Sequence, residues 1–382
     1  MIACLCPNGL NRYDGPQAPR RLLVATASGI NVLERDAIDQ PWRVAGIMLP
    51  GVHATTLAMI PGRTNLLAGT HGDGIFFSAD DGKHWEPRNE GMTSKDVYSI
   101  VAIEQDGGIT LYAGTQPASL FRSRDLGQSW FELPALREVP SAKYWTFPAP
   151  PHLAHTKMMV FDPRDPNVFY VAIEQGALLV TRDGGNSWCE LNSYSRPDDK
   201  FRCDVHQLLL LPSSPETIFM STGVGLYKSL DAGENWERLT GADFRLAYPD
   251  HLALSPDESS LFMAGARHEP GEWRRTHLAE TGVVCSRDGG HNWTECRRLN
   301  IAPGANLEAM AIASYPGGYT LFVGDTEGMV YASDDGGDNW VFIADVLASV
   351  SKGDHAKALR GTTRHYATPA ELWAKVGDGM KG

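Results

Sequence analysis

Five of the chain's twelve histidines recur at one position of an internal pattern. His53, His155, His206, His251 and His355 each stand at the entrance of a short strand-like run. Tyr98 and Glu308 hold the matching place in two further runs. Neutral imidazole is a ligand for zinc, copper and iron, and it titrates near neutrality. If the runs are the innermost strands of a closed ring, the five rings converge. They then form a ligand pool for one transition metal ion, Cu, Fe or Zn, with Tyr98 and Glu308 as acid–base groups. A metal-free acid–base site and a hydrated polar funnel fit the same pattern. Around the pool, His71, Tyr144, Trp145, His268, His277 and Glu327 are expected to wall a pocket for a small-molecule substrate.

The elements that must position these residues are marked by a second pattern. Ser/Thr-x-Asp-x-Gly-x-x-Trp occurs six times, starting at Ser78, Ser123, Thr181, Ser229, Ser286 and Ser333. The spacings are 45, 58, 48, 57 and 47 residues, a period that marks a propeller or a solenoid. Asp and Gly form turns, because Asp accepts from nearby amides and Gly takes positive φ. The Trp supplies a large buried ring whose N–H can find a partner. Each copy therefore reads as a hairpin turn with an apolar plug, and its Asp and Trp as scaffold.

Each repeat holds four runs of strand character, as in residues 53–59, 65–70, 74–77 and the stretch after Trp85. The amino terminus enters mid-repeat. Residues 22–26 and 29–33 match the second and third strands, and 35–42 is a decayed copy that keeps Trp42. The missing first strand has a candidate in residues 355–360, which echo 53–58. The expected fold is all-β: a seven-bladed propeller of four-stranded antiparallel blades over residues 1–360, closed by a C-terminal strand joining the N-terminal blade. Residues 361–382 are expected to be a tail with a short helix around 368–373. Long insertions at 131–154, 190–205, 238–250 and 267–281 fall in connections that open on one face, where binding sites gather.

Composition narrows the class. The net charge is −12 and no basic stripe is present, which argues against nucleic acid. No run reaches membrane-spanning length. The start lacks the charged and apolar regions of a signal peptide, so a cytoplasmic location is expected. The six cysteines show no C-x-x-C spacing and are expected to be reduced.

The eight-residue repeat resembles the Asp-box, or BNR repeat, of sialidases, sortilins, photosystem assembly factors and some glycoside hydrolases. The resemblance covers nearly the whole chain and implies a β-propeller with the box at the blade periphery. It does not choose a subfamily. Sialidases need an Arg-Ile-Pro segment, which is absent here, and have six blades. Xyloglucanase-type enzymes use paired carboxylates between two propellers. Photosystem assembly factors are seven-bladed and bind through an arginine patch. The leading expectation is a metal-dependent enzyme, possibly an oxidoreductase. The alternatives are a non-catalytic scaffold for a protein or peptide, and a glycoside hydrolase using carboxylates such as Glu308, Asp325 and Glu327.

Overall fold

The computed structural model describes residues 1–352 except 10, 149–150, 197–198, 200–202 and 298. Seven sheets follow one another along the chain. Six lead with the strands Ala54–Met59, Asp96–Gln105, Thr156–Asp162, Val205–Leu211, Tyr248–Leu254 and Leu307–Tyr315. Each continues outward through three more strands in chain order, as an antiparallel meander. The fold is a seven-bladed β-propeller.

The first sheet is built differently from the expectation. Ile2–Leu5 is its leading strand and pairs in parallel with Arg21–Thr26, in the register Ile2 to Arg21. Ala3, Cys4 and Leu5 are fully buried there. The place assigned to residues 355–360 is therefore taken by the chain's own beginning. Those residues, His355 among them, lie outside the described part, as does the tail at 361–382. A second short strand, Arg12–Asp14, adds in parallel to Leu307–Tyr315. Both pairings use residues with few side-chain clues: three or four residues cannot show a period.

The repeat has one geometry in all six copies. The amide of its Gly donates to the first-position hydroxyl at 2.8–3.0 Å. The seventh amide donates to the Asp carboxylate at 2.8–3.0 Å. The Gly sits at φ between 84° and 94°, a region that a side chain resists. Trp85, Trp293 and Trp340 donate their ring N–H to the carbonyl of the repeat's own Gly. The decayed copy compensates with packing: Arg35 lies over the Trp42 ring, and Trp42 meets Phe322 edge-on.

Two compact units are distinguished, one of residues 1–7, 11–55 and 251 onward, the other of 8–10 and 56–250. In the second unit the core forms where neighbouring sheets face each other. Met159, Phe169, Val171 and Leu179 pack with Tyr112 and Leu120, and Met158, Leu178 and Val180 pack with Leu208, Ile218 and Met220. In the first unit Phe262, Val283, Met310, Leu321 and Trp340 form the equivalent layer.

Candidate functional site

In the second unit, charged side chains gather at the ends of the leading strands of two sheets and at Pro249–Asp250 in a third leading strand. His155 precedes Thr156–Asp162, and Glu174 follows the neighbouring strand Asp165–Ile173. Their backbones meet through a Glu174 amide to His155 carbonyl bond. This places His155 Nε2 2.7 Å from Glu174 Oε2. Lys157, two residues on, brings its ammonium to 2.9 Å from that same oxygen. The ammonium also lies 3.9 Å from Asp250. All of these side chains are buried, which for Lys requires such pairing.

The adjacent sheet contributes Asp204 and His206 at the start of Val205–Leu211. His206 Nδ1 is 2.6 Å from the carbonyl of Pro249, and its Nε2 is 3.3 Å from Asp204 Oδ2. Glu174, Asp204 and His206 each present an atom within 4.8 Å of the other two. Aromatic rings close the site. Tyr98 stacks on His155 at 3.9 Å, Phe147 meets it edge-on, and Tyr248 tilts against His206. The Tyr98 hydroxyl is turned to Gln116.

The structure thus brings together His155, His206 and Tyr98, with Glu174, Lys157, Asp204 and Asp250 as partners that the sequence reading missed. A signal existed. Asp204 and Asp250 each stand within two residues of a flagged His, and Lys157 interrupts an apolar strand. In the first unit, His53 Nε2 bonds the carbonyl of Ser351 and His251 Nε2 that of Pro7. Glu308 is fully buried and accepts from Ser351 Oγ and the Lys352 amide. These groups hold chain segments in place.

The expected pocket wall disperses into local roles. His71 pairs with Asp96 at 3.1 Å. His268 accepts the Trp273 ring N–H with its carbonyl, and His277 ends the helix Pro270–Thr276 in a left-handed conformation. Tyr144 is 73% exposed in the long insertion, while Trp145 packs inward and donates to Ser141. Glu327 is partly exposed and donates its amide to buried Asp325. A separate hollow of about 490 Å³ lies in the first unit, lined by Arg35, Trp42, Asp334, Val341 and Phe342 among others. None of the expected pocket residues lines it.

No family model matches the chain. Among curated proteins, an oligoxyloglucan-reducing end-specific xyloglucanase of Emericella nidulans is 22% identical over 318 residues, covering 74% of this chain and 37% of the relative. The photosystem II assembly lipoprotein Ycf48 of a Synechococcus species is 28% identical over 198 residues, 45% of this chain and 57% of that one. The chain spans from a third to somewhat over half the length of these two. An ancestral GH74 enzyme superposes with a TM-score of 0.58 at 18% identity, covering 77% of this chain and 38% of its own. A YCF48 bound to D1 peptide gives 0.52 at 14%, covering 85% of each. At these identities the solved structures share the fold.

The leading expectation is corrected here. The chain's relatives are xyloglucanases and an assembly lipoprotein, not metal-dependent oxidoreductases. His53 and His251 bond backbone carbonyls, and His155 bonds Glu174.

Proposed function

We propose that this propeller is a non-catalytic binding module that takes a protein or peptide segment against the long insertion carrying Tyr144. The observation behind this is the closure of its carboxylates. Glu174, Asp204, Asp250 and Glu308 are each no more than 2% exposed. A glycosidase places two carboxyl groups against the bond it cleaves. Groups sealed in this way do not reach a polysaccharide. Tyr144, by contrast, is 73% exposed, with Lys143 over its ring at 4.9 Å. Exposed aromatics beside a cation are what peptide-binding surfaces use. The likeness to an assembly lipoprotein agrees with this reading.

One observation favours a second reading, a glycoside hydrolase. The match to a xyloglucanase covers 74% of the chain, and partly exposed Glu327 is a carboxylate that solvent reaches. Two measurements separate the readings. Peptide arrays followed by anisotropy titration should find binding that Tyr144→Ala weakens about tenfold, or ~1.4 kcal/mol. Xyloglucan incubated with the protein should show no release of reducing ends. Release that Glu327→Gln abolishes would overturn the binding module in favour of the hydrolase.

A further inference from the structure

We propose that Glu174, Asp204 and His206 form a buried structural site for one divalent metal ion, zinc by the chemistry of its donors. The three donor atoms lie within 4.8 Å of one another and all three residues are buried. Asp204 supplies an independent observation. It is 1% exposed, yet among the described residues neither of its carboxylate oxygens has a hydrogen-bond partner. Buried polar groups are otherwise almost always satisfied, and a buried carboxylate most of all.

His206 points the same way. Its Nδ1 meets the Pro249 carbonyl at 2.6 Å, so that nitrogen carries a proton. Metal-bound histidines are held in this manner, donating the far N–H to a carbonyl. In the neutral ring Nε2 is then a lone pair. It stands 3.3 Å from Asp204 Oδ2 without the geometry of a hydrogen bond. Two lone pairs at that distance repel unless a cation lies between them. A tetrahedral ion with bonds of about 2.0–2.2 Å has ligand-to-ligand edges of roughly 3.3–3.6 Å.

The charges agree. Glu174, Asp204 and Asp250 bring three negative charges and Lys157 one positive, all buried. Lys157 and His155 both hold Glu174 Oε2, which fixes the carboxylate beside the site. One imidazole with two carboxylates suits zinc among the common ions. Because all three residues are buried, the ion ties two neighbouring sheets, with an enclosed water as the fourth ligand of its tetrahedron. This inference does not depend on the proposed function.

The test uses the full chain purified without chelator from zinc-supplemented cells. Elemental analysis should find about one equivalent of zinc, with Tm lowered by dipicolinate and restored by added zinc. Asp204→Asn and His206→Gln should each cut zinc to under about a fifth of an equivalent while circular dichroism stays native. If a variant fails to fold, wild-type stoichiometry and the zinc-dependent Tm decide alone. Wild-type protein without divalent metal, its Tm unmoved by zinc, would overturn the site. So would folded variants that keep their zinc. His206 would then be an imidazolium paired with Asp204.

Discussion

At the scale of the residue, buried charge is the feature with the largest consequence. Lys157 neutralises Glu174 and faces Asp250 in a place that water does not reach. Removing one member of a buried pair leaves an uncompensated charge and costs about 3–5 kcal/mol. Lys157→Met should therefore destabilise by that order in denaturant unfolding, and adding Glu174→Gln should recover part of it. The repeat residues Asp183 and Asp288 make the opposite case, since they are exposed. A Ser187 hydroxyl bond, with amide bonds, holds Asp183 down at about 2, and the Asn292 amide and side chain do the same for Asp288. An unfolded Asp titrates near roughly 3.9. A depressed folded value contributes stability above about pH 4 that is lost as pH falls towards about 2. Melting curves between those values should drop less steeply for Asp183→Asn than for the parent.

At the scale of the element, two segments carry the fold. Ile2–Leu5 completes the first sheet, and Ala3, Cys4 and Leu5 are fully buried against it. Deleting residues 1–7 uncovers a strand edge and its apolar face, so the product should aggregate or lose cooperative melting. Unchanged melting after that deletion would show the strand to be dispensable. Trp340 is the plug of the last repeat, 4% exposed and bonded to the Gly337 carbonyl. Trp340→Ala should cost about 3–5 kcal/mol in the same unfolding assay. Outer strands elsewhere are two residues long, whereas Arg43–Met48 and Val341–Asp345 have six and five. The second of these lines the hollow at Arg35 and Trp42 with Val341, Phe342 and Ile343.

At the scale of the whole molecule, stability comes from repetition, and no disulfide contributes. All six cysteines are free thiols, and burial pushes the Cys296 thiol up to about 12. Melting should be identical with and without reductant, and thiol titration of unfolded protein should count six. A reductant-dependent Tm would reveal a disulfide. No described helix is long and apolar enough to cross a membrane.

The amino-acid sequence by itself determined the blades. A turn that needs Gly at positive φ, a hydroxyl and a carboxylate leaves its mark in the residues that make it. It does so in six of the seven sheets, which made the period and the four-strand order readable. Tertiary structure decided the rest. Whether residues 2–5 or 355–360 led the first sheet depended on pairing between distant segments, and four residues carry no periodicity to announce it. The histidines were visible one at a time. Their roles depended on what folding set opposite them: Glu174 for His155, Asp204 and the Pro249 carbonyl for His206, Ser351 for His53 and Pro7 for His251. A side chain's chemistry is local, but its partner is chosen by the path of the whole chain.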